Sequence, residues 1–385
     1  MQLETRLLSE SGSFLLSNNS IPEPISKNQL ESVDWETIRR QADLHKILPL
    51  VYRYVRSLDR QYSTEYAEQL QTEAIRITHR NARMADDLCH VFQQLEKEGI
   101  RALPYKGPSL STIGYGHVSI RSFGDVDIIL HEDDVIAAKN ILQSHEYTHK
   151  KGEISKEEEQ LKLNVDHQYS LQSPRGTKIE LHWKTGPSHL AGEIDFERLW
   201  DRRESFEIQG HELPRPPTEE LSMLLATHGS RHYWKTLGYL LDFTAVSCGD
   251  NLDWKYAIEL AEEAGAKRRL LLALHLSNEI YGVEYSDYPF NMCQTDQQVL
   301  KLSNQCKKAI FDHDSVSDLD QLVLNYKSHE RFSDQIEMVA RLGFQPTERD
   351  YRVLPPRFRS RPMAALVRPF RATKGLIQLA VSNSS

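Results

Sequence analysis

The stretch "SIRSFGDVDIILHEDD", residues 119–134, places two aspartates at the start of an apolar segment. Gly124 precedes the segment and a run of acidic residues follows it, so "DVDIILH" predicts a β-strand. Side chains two residues apart on a strand point to the same face, so Asp125 and Asp127 are expected to lie side by side. Ionised carboxylates repel each other and resist burial. This pair therefore requires a compensating charge.

Three further strand predictions and a helix surround this stretch. "IRALPY" (100–105) predicts a short strand, and "EDDVIAAKNILQSHEY" (132–147) predicts a helix with acidic residues at its N-terminus. "DHQYSLQ" (166–172) and "TKIELHWK" (177–184) predict two strands joined by the turn "SPRG". The charged segment 150–164 predicts a solvated loop or surface helix, with a lid over a site as the alternative.

Helical periodicity dominates on both sides of these strands. Residues 31–98 predict helices, and a second helical region is expected to begin after three prolines, with Thr218 as its N-cap. We therefore predict an α+β fold with a small mixed sheet flanked by helical regions. The expected boundaries are 1–98 for the N-terminal helices, 99–213 for the sheet core, 214–350 for the C-terminal helices and 351–385 for a basic tail.

Charge is unevenly distributed along the 385 residues, whose net charge is −8. Residues 351–385 contain seven basic and no acidic residues, so the remainder carries 40 basic against 55 acidic residues. A body this acidic argues against a long nucleic-acid footprint, because phosphate contacts supply most of such affinity. The tail could dock on the acidic body, contact an anionic membrane surface or bind a nucleic acid.

Several sequence patterns bear on the cellular location of the protein. No run approaches the roughly 18 apolar residues of a membrane-spanning helix, and the N-terminus is a poor signal peptide. The four cysteines show no C-x-x-C spacing, which favours reduced thiols. We expect a cytoplasmic protein without a transmembrane segment.

A third carboxylate, Glu180 in "TKIELHW", would complete an acidic cluster. Glu180 and His182 share one face of the predicted strand, and Ile179 and Leu181 share the other. If this strand lies beside the strand of Asp125 and Asp127, three carboxylates converge. Carboxylate oxygens suit Mg²⁺, which often takes further ligands from substrate phosphates.

Residues 106 and 107 have features suited to phosphate binding. Lys106 and Gly107 stand where the first predicted strand ends and a helix begins, and glycine lets the backbone approach an anion closely. Lys106 and Arg121 could clamp phosphate oxygens. A surface lysine and an ordinary turn remain the alternatives for Lys106 and Gly107.

Taken together, these motifs resemble the bacterial family of uncharacterised nucleotidyltransferases within the polymerase β-like superfamily. The matching motifs are "YKG" (105–107), "RSFGDVD" (121–127) and "IELHW" (179–183). The resemblance extends to "WETIRRQADLHKILPLVY" (35–52), "HGSRHYWKTLGYLLD" (228–242) and "PTERDYRVLPP" (346–356). The usual glycine-serine pair of the superfamily is absent here, so Ser109 is only a weak candidate for a phosphate contact.

The resemblance implies metal-dependent transfer of a nucleoside monophosphate from an NTP to an acceptor hydroxyl, with release of pyrophosphate. Two Mg²⁺ or Mn²⁺ ions would be held by Asp125, Asp127 and Glu180. The nucleotide-binding residues implied are Lys106, Gly107, Ser109, Arg121, Ser122 and Gly124. The acceptor is left open, with a small molecule or a protein favoured over RNA. The alternative is a regulatory module that binds a nucleotide without turnover.

Four histidines are further candidates. His228 and His232 lie four residues apart and hence on one helical face, where a buried pair, a contact with substrate phosphates or a zinc site are all compatible with the spacing. His167 and His182 recur in the family pattern, which implies support for the carboxylates.

Overall fold

The fold is described from a computed structural model. The described residues are 3–17, 25–62, 64–149, 156–186, 191–249, 252–311, 316–355, 358 and 361–382.

Five helices precede the sheet. They are α1 (Leu3–Leu16), α2 (Lys27–Glu31), α3 (Trp35–Leu44), α4 (Leu48–Tyr62) and α5 (Glu68–Lys97). Asp34 caps α3 by accepting hydrogen bonds from the backbone amides of Glu36 and Thr37. The 30-residue α5 contains no proline or glycine, and it ends just before Gly99, whose φ of 72° lies in the left-handed region.

The central sheet has five strands in the order β1-β2-β5-β4-β3. The strands are β1 (Ala102–Pro104), β2 (Asp125–Leu130), β3 (Thr148–His149), β4 (Gln168–Gln172) and β5 (Lys178–His182). β2 and β5 run parallel and place Asp127 opposite Glu180, whereas the other neighbours pair antiparallel. This arrangement confirms the α+β prediction with a small mixed sheet, because helices precede and follow the strands.

Four helices connect the strands or follow the sheet. They are α6 (Pro108–Tyr115), α7 (Val135–Ser144), α8 (Lys156–Val165) and α9 (Phe196–Asp201), with a 3-10 turn over Glu132–Asp134. The predicted helix after β2 is thus confirmed. α8 lies within the charged segment, whose residues 150–155 lie outside the described part of the chain.

A two-stranded hairpin that the sequence analysis did not predict follows α9. It pairs β6 (Glu204–Ile208) with β7 (His211–Arg215) in antiparallel register. Gln209 and Gly210 connect the strands with φ values of 52° and 75°. Positive φ at both positions is the geometry of the two-residue turns whose twist matches paired strands.

Ten helices complete the described chain. They are α10 (Thr218–Arg231), α11 (Leu237–Ser247), α12 (Trp254–Glu263), α13 (Lys267–Tyr281), α14 (Asp287–Thr295), α15 (Gln297–Phe311), α16 (Asp318–Lys327), α17 (Phe332–Phe344), α18 (Glu348–Arg352) and α19 (Arg361–Ser382). The prediction that Thr218 caps α10 is wrong by one residue. Pro217 is the N-cap and makes no side-chain capping bond, because its ring carries no hydrogen-bonding group.

Two hydrophobic cores hold the molecule together. One joins the two helical regions and contains Leu7 and Leu50 from the N-terminal helices together with Leu240 and Leu274 from the C-terminal helices. The other lies beneath the sheet and contains Val126, Ile128 and Leu181 with one face of α5. The helices on either side of the sheet in sequence therefore share one core.

The described part of the basic tail contacts the chain's own helices. In α19, Arg368 and Arg371 lie 3.8 Å and 3.5 Å from the carboxylate of Asp350, whose side chain is fully buried. Arg368 also donates a hydrogen bond to the backbone carbonyl of Leu342. These two arginines therefore dock on the chain's own helices. Arg357 and Arg359 lie outside the described residues.

Candidate functional site

Three carboxylates project from the neighbouring strands β2 and β5. The parallel register sets Asp127 directly opposite Glu180, and Asp125 lies two residues earlier on the same strand face. Asp127 is 2% exposed and Glu180 is 6% exposed. Ile128 and Leu181 alternate with these residues and fill the core beneath the sheet. The period of the two strands therefore places acidic groups above an apolar layer.

Cationic side chains lie against all three carboxylates. The ammonium Nζ of Lys106 is 2.9 Å from Oδ1 of Asp127. Nζ of Lys178 is 2.5 Å from Oε1 of Glu180 and 3.4 Å from Oδ2 of Asp125. Opposite charges at these distances stabilise the ionised forms. The carboxylate cluster is therefore largely neutralised by the protein's own lysines.

His182 links the two buried carboxylates. Its Nε2 lies 2.9 Å from Oδ1 of Asp127 and 3.5 Å from Oε2 of Glu180. Burial opposes ionisation of Asp127, but Lys106 and His182 overcome it and hold the pKa of Asp127 well below its ordinary value. Burial and the charge of Asp127 raise the pKa of Asp125. The two aspartates of one strand thus have their pKa values pushed apart.

Gly107 shapes the turn between β1 and α6. It is the N-cap of α6 with a φ of 66°, and a Cβ added there would lie 2.3 Å from the backbone oxygen of Asp125. Only a residue without a side chain fits this close approach. The turn therefore packs directly against the first residue of β2.

Arg121 is held by an ion pair within the protein. Its Nη1 lies 3.0 Å from Oδ2 of Asp242 on α11, and the hydroxyl of Tyr115 donates to Oδ1 of the same carboxylate. Nδ2 of Asn81 donates to the carbonyl oxygens of Arg121 and Val118. The loop before β2 is thereby fixed to α5, α6 and α11.

A second wall faces the carboxylates from the C-terminal helices. In α10, Nη2 of Arg231 lies 3.3 Å from Nδ1 of His228, and Nε and Nη2 lie 3.4 Å and 3.3 Å from Nε2 of His232. The ring of Tyr239 is 5.0 Å from that of His228 and 5.5 Å from that of His232. Lys46, between α3 and α4, places its Nζ 3.4 Å from the Tyr239 hydroxyl. We call Lys46, His228, Arg231, His232 and Tyr239 the cationic wall.

The imidazoles of the cationic wall are held neutral. Burial and the charges of Lys106 and Arg231 lower the pKa of His228 well below its ordinary value. The same causes lower the pKa of His232 to about 3. Both rings can therefore accept hydrogen bonds from Arg231 at neutral pH.

The two walls enclose a cleft of about 300 Å³. This volume lies at the lower end of the range for small-molecule sites. The residues that line it come from the N-terminal helical region, the sheet core, α10 and α11: Lys46, Lys106, Gly107, Arg121, Phe123, Gly124, Asp125, Asp127, Gln168, Glu180, His182, Leu225, His228, Arg231, His232, Tyr239 and Asp242.

The chemistry of the donor set fits a divalent cation. Among the described residues, Asp127, Glu180 and His182 form the group whose potential ligand atoms all lie within 4.8 Å of one another. Two carboxylates suit Mg²⁺ or Mn²⁺, and an imidazole suits Mn²⁺ and later transition metals better than Mg²⁺. Asp125 does not join this group, and its carboxylate faces Lys178 instead. No such group forms around His228 and His232 within the described residues.

The structure brings together most of the residues that the sequence analysis singled out. Three of them lie elsewhere. The hydroxyl of Ser109 is fully buried and donates to the carbonyl of Lys106, Ser122 is buried without a place in the lining, and His167 pairs with Asp166. These three side chains do not face the cleft.

Other residues at or beside the cleft were missed. Lys178 lies two residues before Glu180 and could have been found by the same strand periodicity, and Arg231 lies three residues after His228 on the helix. Tyr239 falls within the stretch 228–242 and Lys46 within the predicted N-terminal helices, but neither was singled out, because tertiary packing brings them to the cleft.

Comparisons with known proteins identify the family. The family described as "Uncharacterised nucleotidyltransferase" matches residues 31–282, and the chain belongs to it. The chain is also similar to an antigenic nucleotidyltransferase-like protein from Paracoccidioides brasiliensis, known from a crystal structure. The identity is 15%, the match covers 62% of this chain and 97% of that one, and the TM-score is 0.30. None of the curated proteins matches the chain. Within the described residues, no helix combines the length and apolarity needed to cross a membrane.

Proposed function

We propose that this protein transfers a nucleoside monophosphate from an NTP to an acceptor hydroxyl, with release of pyrophosphate, and that the transfer depends on Mg²⁺ or Mn²⁺. The observation that carries the proposal is the buried group of Asp127, Glu180 and His182 beside the turn at Gly107, within a chain of this family. A divalent cation bound there would stabilise negative charge on the transferred phosphate and lower the pKa of the acceptor hydroxyl.

We call Asp125, Asp127, Glu180 and His182, together with Lys106 and Lys178 beside them, the carboxylate wall. Its side chains have different tasks in this proposal. Asp127 and Glu180 hold the cation, and Asp125 adds negative charge at the mouth of the cleft. In this structure Lys106 forms an ion pair with Asp127, with its ammonium 2.9 Å from the carboxylate. A cation at Asp127 would repel the ammonium, so Lys106 would turn towards the phosphates of the NTP. Such transfer rests mainly on positioning and electrostatic stabilisation.

The imidazole of His182 positions both carboxylates. Its Nδ1 is buried, and no partner for it is found among the described residues. A histidine that binds a metal through Nε2 usually donates its other N–H to an acceptor. Donation from Nε2–H to Asp127, with Nδ1 unprotonated, agrees with this geometry. We therefore assign His182 to orientation of the carboxylates and leave the cation to Asp127 and Glu180.

Arg121 is proposed to act indirectly on the nucleotide. Its guanidinium is already compensated by Asp242, so its main effect is to fix the loop that carries Gly124 into β2. Direct phosphate contacts fall to Lys106 and to the backbone amides at the start of α6, where the helix dipole favours an anion.

The test is transfer of radioactive label. The purified protein is incubated with each α-labelled NTP, Mg²⁺ or Mn²⁺, and cell extract divided into protein, RNA and small-molecule fractions. We expect label in the small-molecule or protein fraction, dependent on the cation and lost in Asp127→Asn. Cation-dependent NTP binding without label transfer in any fraction would favour the alternative, a regulatory nucleotide-binding module. Absence of both binding and transfer would refute the proposal and the alternative alike.

A further inference from the structure

The charges that line the cleft are unequally compensated. Two of its basic residues form ion pairs with acidic residues of the same cleft: Lys106 with Asp127, and Arg121 with Asp242. Lys178, which lies beside the cleft, pairs with Asp125 and Glu180. The two cations of the cationic wall, Lys46 and Arg231, form no ion pair with a carboxylate among the described residues. Positive charge therefore remains uncompensated on one side of the cleft.

Arg231 is half-buried, and among the described residues its guanidinium has only neutral partners. Those partners are the ring nitrogens of His228 and His232, at 3.3 to 3.4 Å. A guanidinium removed from water is normally paired with an acid, because its desolvation is costly. Its charge also affects a neighbour, since burial and Arg231 together lower the pKa of the fully buried Arg269 to about 10. Arg231 thus keeps an unneutralised positive field at the cleft.

Lys46 is held in place by its backbone. Its φ of 61° lies in the left-handed region, which non-glycine residues rarely adopt. The amide of Ser122 donates to the carbonyl of Lys46, and the amide of Gly238 donates to the carbonyl of His45. These bonds tie the loop between α3 and α4 to the sheet core and to α11. A strained backbone fixed from two sides is often a feature of a functional position.

We propose that Lys46 and Arg231 form a binding subsite for phosphate oxyanions, on the side of the cleft opposite the carboxylates. The inference rests on the proposed function and adds to it a contact that the carboxylate wall cannot make. A guanidinium provides paired donors suited to phosphate oxygens, and the ammonium adds a point charge. His228 and His232 position the guanidinium as neutral acceptors, and Tyr239 packs against both rings.

Two sources of phosphate share this chemistry. One is the triphosphate of the NTP, which would extend from the carboxylates across the cleft. The other is a phosphorylated acceptor that enters beside the nucleotide. The experiment must therefore separate the two.

The test measures binding in EDTA, so that neither a divalent cation nor turnover contributes. The ligands are tripolyphosphate, inorganic phosphate and each of the four NTPs. The variants are Arg231→Met, Arg231→Lys and Lys46→Met, with Lys235→Met as the matched control. Lys235 is an exposed cation four residues beyond the end of α10 and does not line the cleft. Thermal unfolding of each variant shows whether it remains folded.

We expect Arg231→Met to weaken tripolyphosphate binding by about 10- to 100-fold, the usual range for loss of a charge-assisted hydrogen bond. Arg231→Lys should recover part of the affinity, and Lys235→Met should bind like wild type. If NTP affinity falls in parallel, the subsite holds the triphosphate. If binding of tripolyphosphate and phosphate falls while NTP affinity is kept, the subsite serves a phosphorylated acceptor.

The inference is overturned if wild type binds none of these anions, or if folded Arg231→Met and Lys46→Met bind them as tightly as Lys235→Met does. Failure of the proposed function would look different. Anion binding would persist in EDTA and depend on Arg231, while no label transfer would occur with any NTP.

Discussion

The carboxylate wall and the cationic wall face each other across one cleft but are built differently. On the sheet, each carboxylate lies within ion-pair distance of a lysine, with Lys106 2.9 Å from Asp127 and Lys178 2.5 Å from Glu180. On the helices, the guanidinium of Arg231 contacts neutral imidazoles. The carboxylates are therefore largely neutralised in the free protein, whereas Arg231 has no acidic partner among the described residues. A ligand must therefore displace cations from one wall and supply negative charge to the other.

The largest effect is expected from removing charge at the centre of the carboxylate wall. Asp127→Asn should reduce nucleotide transfer by about a thousandfold or more, because the cation loses its most buried ligand. Pyrophosphate release measures this loss. Asp133→Asn is the matched control, since Asp133 lies beyond the end of β2 with a side chain 89% exposed. Equal activity of the two variants would exclude Asp127 from the chemistry.

The next effect concerns the turn that supports the carboxylate wall. Gly107→Ala introduces a Cβ 2.3 Å from the backbone oxygen of Asp125 and keeps a residue at a φ of 66°. We expect the free energy of unfolding to fall by about 1–3 kcal/mol. Gly116→Ala separates the two causes, because Gly116 has a φ of 71° and open space around it. Denaturant unfolding of both variants should show the larger loss for Gly107→Ala; equal losses would mean that the contact with Asp125 is unimportant.

The cationic wall makes stability depend on pH. The folded protein holds His232 neutral with a pKa of about 3, whereas the unfolded chain protonates it near 6.5. Below pH 6.5 the unfolded state binds more protons, so stability is full above that pH and declines as the pH falls. From pH 6.5 to 5.5 this histidine should account for a loss of at most about 1.4 kcal/mol. Denaturant unfolding at a series of pH values measures the slope.

The buried acid Asp242 has a raised pKa, so its effect on the pH dependence of stability is opposite to that of His232. Comparison of wild type with His232→Gln therefore isolates the contribution of His232. The variant should show a shallower decline than wild type over the same interval. Identical slopes would mean that His232 is not held neutral by the cationic wall.

The smallest expected effect tests how the lysines of the carboxylate wall compete with a cation. Lys178 bridges Asp125 and Glu180 but is 48% exposed on its side chain, so solvent weakens its interaction. Lys178→Met should tighten Mn²⁺ binding by about three- to fivefold. Titration followed by electron paramagnetic resonance gives the affinity, with Lys235→Met as the control. Weaker binding in Lys178→Met would show that the lysine supports the site.

The carboxylate wall could be predicted from the sequence because its geometry is local. The alternation of Asp125, Asp127 and the intervening apolar residue fixes which side chains share a face, and the same rule places Glu180. The pairing of β2 with β5 was an assumption that the structure confirmed. Local spacing does not reveal that the hydroxyl of Ser109 donates to the backbone carbonyl of Lys106.

The cationic wall could not be predicted in the same way. Lys46 lies in the turn between α3 and α4 and Tyr239 lies on α11, far away in sequence, and no periodic pattern relates them. The hairpin of β6 and β7 was missed for a different reason. Its turn is Gln209-Gly210 rather than the more typical Asn-Gly or Asp-Gly, and its strands are rich in charged residues.

The shared core of the two helical regions has a consequence for assembly during synthesis. Ser13 of α1 donates a hydrogen bond to the carbonyl of Tyr281, 268 residues later, and Gly12 packs so closely on the same tyrosine that a methyl group there would lie 2.4 Å from its ring. The packing of α1 can therefore be completed only after α13 has been synthesised. The strands β2 and β5 are synthesised before Arg231, so a chain that ends before α10 contains the residues of the carboxylate wall but lacks most of the cationic wall.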